Sequence, residues 1–113
     1  ALRELAFQEV LRGDYPRAQH LLNRALRANP DWTPLYLDAV AVAALRWRMD
    51  ETREWLGEVE RRTNPATALR LLREPALAGI RRAREGQALE KELAARAGAA
   101  AATYPDLLLA PKF

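Results

Sequence analysis

The chain of 113 residues contains no cysteine and only one histidine. The lack of cysteine excludes disulfides, thiolate metal sites and a cysteine nucleophile, and it favours a cytoplasmic origin. One histidine is too few for a histidine-based metal site, and His20 lies between arginines on the polar side of its predicted helix, where we expect it to face solvent. The sequence also has no glycine-rich phosphate loop and no plausible Ser-His-Asp set. We therefore expect no enzymatic activity and no cofactor.

Long apolar runs and strand patterns are lacking as well. No segment approaches twenty residues without a charge, so the sequence predicts no membrane-spanning helix. No segment alternates apolar and polar residues between turns, as a half-buried strand does. Half of the residues are apolar, which is enough for a modest core. The sequence therefore predicts a single all-α domain over residues 1–113.

The net charge of +3 is concentrated in one segment. Residues 66–86 carry five arginines against two glutamates, whereas the flanking segments are balanced. The candidate basic patch consists of Arg70, Arg73, Arg81, Arg82 and Arg84. Such a patch can meet phosphate or acidic protein, although solvated helix faces have the same composition. It supplies the alternative function, a helical nucleic-acid-binding or regulatory domain, but the long one-sided row of arginines that favours nucleic acid is missing.

Apolar residues at three- and four-residue spacing predict seven helices. These helices cover about residues 1–12, 15–28, 34–47, 51–62, 65–74, 76–85 and 87–102. Thr33 and Asn64, each followed by proline, and Asp50 are the predicted helix caps. Gly86 is predicted to separate the last two helices.

Two parts of the chain are similar at a spacing of 34 residues, the distance between Gly13 and Trp47. Three further pairs agree in size and polarity at the same spacing: Ala18 with Thr52, Leu22 with Leu56, and Ala25 with Val59. Short connections make neighbouring helices pack antiparallel. Each part is therefore predicted to be a helical hairpin, with the small residues Ala18 and Ala25 packing against large ones.

This pattern resembles the tetratricopeptide repeat, a helix–turn–helix unit of about 34 residues. The clearer unit, residues 1–32, carries Leu2-x-x-Leu5-Ala6, then Gly13-Asp14-Tyr15-x-x-Ala18-x-x-x-Leu22-x-x-Ala25, and finally Pro30. The second unit, residues 33–65, is degenerate because Trp47 and Thr52 replace the turn glycine and a small alanine. Residues 66–103 are interpreted as capping helices and residues 104–113 as an apolar tail, since Pro75 interrupts any third unit. The resemblance implies a right-handed αα-superhelix of about two hairpins plus C-terminal capping helices.

The same resemblance implies a scaffold for protein–protein interaction. In this family the first helix of each hairpin lines a concave groove, and the corresponding positions here are Arg3, Phe7, Val10, Leu37, Ala41 and Ala44. This predicted groove is mostly apolar, which suits an amphipathic helix or an extended apolar peptide from another protein. It lacks the lysine and asparagine pattern with which some members bind a peptide C-terminus.

Two apolar features have more than one interpretation. The tail contains Leu107, Leu108 and Leu109 in a row, and such residues are expected to be covered. Three predictions are open for these leucines: they cover the domain's own core, they occupy the domain's own groove, or they enter the groove of a neighbour in a dimer. The three tryptophans, Trp32, Trp47 and Trp55, are predicted to pack between the units. The alternative for Trp47 is a small phosphate-facing patch with Arg46 and Arg48.

Overall fold

The computed structural model describes residues 1–98, which form seven α-helices, one short 3₁₀-helix and no strand. In chain order the helices are α1 (Leu2–Arg12), α2 (Tyr15–Ala28), α3 (Pro34–Leu45), α4 (Met49–Arg62), α5 (Pro65–Leu72), the 3₁₀-helix (Pro75–Leu77), α6 (Ala78–Arg82) and α7 (Arg84–Ala97). The predicted all-α class is confirmed. No helix within residues 1–98 is long and apolar enough to cross a membrane. The predicted tail, residues 104–113, lies outside the described residues.

Two helix ends lie where the sequence predicts them, at Gly13 and at Asn64. Gly13 ends α1 with φ +82°, in the left-handed region that glycine adopts without penalty. The Asn64 side chain accepts a hydrogen bond from the amide of Thr67 at 2.7 Å, which confirms the predicted cap of α5. The predicted hydroxyl cap at Thr33 is wrong, because its side chain makes no cap hydrogen bond.

Two predicted boundaries are also wrong. Helix α4 begins at Met49, so Asp50 lies inside its first turn and does not cap it. Gly86 does not separate two helices but lies buried within α7, which begins at Arg84. The physical reason is contact with α6: an added Cβ at Gly86 would come within 1.7 Å of the carbonyl oxygen of Ile80. The missing side chain allows the two helices to meet.

The helices pack as successive pairs. The most extensive contacts join α1 with α2, α3 with α4, and α5 with α7. The second helix of each pair also contacts the first helix of the next, so α2 packs on α3 and α4 packs on α5. In the region interpreted as capping helices, the 3₁₀-helix and α6 lie between α5 and α7 in the chain. Pro75, which interrupts the repeat pattern in the sequence, is the first residue of this 3₁₀-helix. Because the connections from α1 to α5 are short, α1, α3 and α5 run in one direction and α2 and α4 in the other. Helix α7 runs parallel to α4, since Arg53 contacts Glu92 and Glu60 contacts Arg96.

Two apolar clusters form the core, and α3 contributes to both. The smaller cluster joins the first pair to α3 and contains Ala6, Ala18, Leu21, Leu22, Ala25, Leu35 and Val42. The predicted seam of Ala18, Leu22 and Ala25 is therefore buried as expected. The larger cluster joins α3 to α4, α5, the 3₁₀-helix and α7. Every residue of α3 from Leu35 to Ala44 is buried, and all of them except Asp38 are apolar or aromatic.

Trp47 occupies the turn of the second pair, as Gly13 does in the first, and it too adopts a positive φ, +58°. A side chain in this region costs about 1–2 kcal/mol. We expect Trp47→Gly to have a free energy of unfolding about 1 kcal/mol higher than Trp47→Ala, because both lose the indole and only glycine relieves the strain. Urea denaturation monitored by circular dichroism measures the free energy of unfolding of the two variants. Equal stabilities would contradict the left-handed conformation at this turn.

Candidate interaction surface

An ion pair joins the first helices of the first two pairs. Asp38 lies in α3 and is fully buried. The guanidinium of Arg3 in α1 donates from Nε to Oδ2 and from Nη2 to Oδ1, the second at 3.2 Å. The central carbon of this guanidinium, Cζ, also lies 5.3 Å from the ring centroid of Trp32, a cation–π distance. Arg3 therefore fixes α1 beside α3, and this predicted groove residue already has a structural partner.

An apolar strip follows Arg3 along α1. Phe7 and Leu11 stand four and eight residues beyond it, and this spacing places all three on one side of the helix. Phe7 is half-buried and Leu11 is 71% exposed, while Val10 packs partly against the smaller cluster. We call Phe7, Val10 and Leu11 the α1 strip. Sequence reasoning missed Leu11, although its position four residues after Phe7 was a usable signal.

The three predicted groove residues on α3 are not open to a partner. Leu37 and Ala41 are fully buried, and Ala44 is nearly so. Leu37 and Ala44 belong to the larger cluster, because the 3₁₀-helix packs against α3. The prediction of an open groove floor on α3 is therefore wrong, and the accessible part of the predicted groove lies on α1.

The predicted basic patch is divided between structural and exposed residues. Arg81 donates from Nη1 to the carbonyl oxygens of Leu72 and Glu74, both at 2.7 Å. It therefore stabilises the C-terminal end of α5, where carbonyl groups lack intrahelical partners. Of the five arginines, Arg73, Arg82 and Arg84 are exposed, whereas Arg70 and Arg81 are partly buried. Arg73 also faces Glu90, with Nε and Oε2 3.8 Å apart.

The tryptophans do not share one role. Trp55 packs partly against the larger cluster, and its ring meets that of Tyr36 edge-on at a centroid distance of 5.9 Å. Trp32 is 47% exposed and Trp47 is 72% exposed, so the prediction that they pack between the units is wrong for these two. Trp47 rests instead on Gly79 of α6, where an added Cβ would lie 2.4 Å from its ring. His20 is exposed, as predicted.

The described residues form two open clefts of interest. One, of about 300 Å³, lies beside Arg3 and is also lined by Leu2, Trp32 and Leu35. The other, of about 520 Å³, lies on α4, where the bordering Arg61 is hydrogen-bonded to Glu58. Within residues 1–98, no group of three or more histidine, aspartate or glutamate side chains is arranged to hold a metal ion. The first cleft is bordered by Arg3, which stands four residues before Phe7 of the α1 strip.

Comparison of the chain with protein-family models, with curated protein sequences and with solved structures finds no match in any of the three.

Proposed function

We propose that this chain is a protein–protein interaction module of the tetratricopeptide-like type, and that it binds an apolar peptide or helix of another protein along the α1 strip. The observation that carries the proposal is the incomplete burial of α1. Six of its residues are apolar, yet Ala6 is the one that is fully buried. The order of helix contacts, from pair to pair along the chain, supports an αα-superhelix of the kind these modules form.

The exposed apolar area of the strip is suited to binding of moderate affinity. Burying a leucine or phenylalanine side chain completely is worth about 1.5–3 kcal/mol. The first turn of α1, one turn before the strip, is held against α3 by the contact of Arg3 with buried Asp38. A cytoplasmic location is part of the proposal and is favoured by the absence of cysteine.

Nucleic-acid binding through the arginines of residues 66–86 has less support. Arg81 is committed to backbone carbonyl groups, and Arg73 faces a glutamate. The remaining exposed arginines, Arg82 and Arg84, stand three residues and one residue before Glu85 in the sequence. No aromatic side chain on these helices stands beside them to stack on a base.

A displayed library of random twelve-residue peptides tests the proposed function. Selection against the full chain should enrich peptides with apolar residues, and the enriched sequences are then synthesised with a fluorescent label. Fluorescence anisotropy should show affinity reduced at least tenfold by Phe7→Glu or Leu11→Glu, because a charge is placed where apolar surface would be buried.

Leu5→Glu is the matched control. Leu5 is 49% exposed on the same helix but lies on the opposite side from Phe7. Circular dichroism confirms that each variant is folded before affinity is measured. The proposal fails if no peptide is enriched, or if Leu5→Glu weakens binding as much as the two substitutions in the strip.

A further inference from the structure

The exposed side of α2 carries a row of basic side chains. Arg17, Arg24 and Arg27 belong to this row, and His20 lies between the first two. Successive spacings of three, four and three residues place all four on one side of a helix. All four side chains are exposed, and the buried residues of α2 lie on the opposite side, against α1 and α3. We call these four residues the α2 row.

The arginines of the α2 row have no acidic partner within residues 1–98. None of the three forms an ion pair or a side-chain hydrogen bond there, and α2 itself contains no acidic residue. Other exposed arginines of the fold are paired, as Arg12 is with Glu9 and Arg61 with Glu58. The α2 row is therefore a concentration of positive charge that the fold does not neutralise.

The amino-acid composition conceals this charge. Residues 1–65 contain as many acidic residues as arginines, so their sum is zero. In the structure, several of these acids pair with arginines outside α2, namely Glu9, Asp38, Glu51, Glu58 and Glu60. The balance therefore holds for the segment as a whole but not for the surface of α2.

The α2 row is short, and an acidic residue follows each of its ends. The helix rises about 15 Å between Arg17 and Arg27. Asp14 stands three residues before Arg17 and Asp31 stands four residues after Arg27, and both are exposed. A nucleic acid or an anionic membrane surface continues beyond 15 Å, so its phosphates would approach these carboxylates and be repelled. An acidic segment of the same length as the row avoids this repulsion.

We propose that the α2 row is a second docking surface, which binds an acidic helix of a partner protein. Glutamates three or four residues apart on one side of a helix are separated by rises of about 4.5 and 6 Å, as the arginines of the row are. Each guanidinium can donate two parallel hydrogen bonds to a carboxylate, which favours arginine for this contact. The proposal goes beyond the proposed function, because the α1 strip lies on another helix and binds apolar side chains.

A labelled helical peptide tests this surface on the full chain. The probe is an alanine-rich peptide with four glutamates at spacings of three, four and three residues, and its binding is measured by fluorescence anisotropy at low ionic strength. The variant Arg17→Gln, Arg24→Gln, Arg27→Gln should weaken binding at least fivefold, since each exposed ion pair contributes a factor of about 1.4–5. Glutamine retains the helix preference of arginine, so α2 should stay folded.

The matched control removes the same charge from exposed arginines elsewhere. Arg48→Gln, Arg82→Gln, Arg84→Gln should change the affinity of the peptide less than twofold. Circular dichroism verifies that both triple variants are folded. A second probe has the same composition with its four glutamates in one block, and it should bind the unchanged chain at least threefold more weakly because the block places only some carboxylates opposite the row.

Four results would overturn the inference. The first is no binding of the spaced peptide to the unchanged chain. The second is equal weakening by the two triple variants, which would reduce the effect to net charge. The third is equal affinity for the spaced and the blocked peptides. The fourth is tighter binding of a labelled oligothymidylate or of phosphatidylserine vesicles that the α2 variant loses, since this would assign the row to nucleic acid or to lipid.

Discussion

Replacing Gly86 with alanine is expected to lower the free energy of unfolding by about 3 kcal/mol, even though alanine is the better helix former. The added Cβ would lie 1.7 Å from the carbonyl oxygen of Ile80 and 2.6 Å from its carbonyl carbon. Both are backbone atoms, so no side-chain rotation can relieve the overlap. Helices α6 and α7 would have to separate, and the packing of Ile80 and Leu89 in the larger cluster would be lost.

Gly57→Ala is the matched control for this prediction. Gly57 also lies within a helix, α4, but the nearest atom to an added Cβ is the Nη1 of Arg61 at 4.0 Å. Alanine should therefore stabilise the chain there by about 0.5–1 kcal/mol, the ordinary helix preference. Urea denaturation monitored by circular dichroism measures the free energy of unfolding of both variants. If Gly86→Ala proved as stable as Gly57→Ala, the close approach of α6 to α7 would be wrong.

Replacing Arg3 with methionine is expected to lower the free energy of unfolding by about 3 kcal/mol. Methionine keeps much of the apolar stem but removes both hydrogen bonds that the guanidinium donates to Asp38. The Asp38 carboxylate is fully buried, so it would lose the hydrogen bonds and the positive charge that Arg3 supplies without gaining water in their place. The double variant Arg3→Met, Asp38→Leu removes the charge as well and should recover most of the loss.

A second ion pair supplies the control for Arg3. Arg53 and Glu92 join α4 to α7 with Nη1 and Oε2 3.5 Å apart, and both side chains are about half exposed, at 45% and 46%. Arg53→Met should therefore change the free energy of unfolding by less than about 1 kcal/mol. Thermal and urea unfolding of the three variants test the contrast. Similar effects of Arg3→Met and Arg53→Met would show that the Asp38 site is not closed to water.

The sequence was sufficient where a local interaction decides the structure. Asn64 followed by Pro65 predicts a helix start, because the cap hydrogen bond and the fixed φ of proline involve residues that are close in sequence. The seam of Ala18, Leu22 and Ala25 was equally predictable, since helical spacing alone places these residues on one side of α2. These signals account for the helix order and for the burial of the first pair.

The sequence was insufficient where distant segments meet. Gly86 was interpreted as a helix boundary because glycine is unfavourable inside helices, but the requirement for glycine comes from Ile80 in another helix. The resemblance placed Leu37 in an open groove, and nothing in the periodicity of α3 shows that the 3₁₀-helix packs against this helix. The partnership of Arg3 with Asp38 spans 35 positions, and four other acidic residues lie closer to Arg3 in the sequence.

The limited burial of α1 also has a consequence for how the chain fluctuates. With Ala6 as its one fully buried side chain, α1 has less apolar packing to lose on local opening than α3 has. Elements of this kind detach at a small fraction of the cost of global unfolding. Local opening of the helix that carries the proposed recognition strip is thus expected to cost less than opening of α3, and a bound partner would slow the hydrogen exchange of α1 by holding it against the rest of the fold.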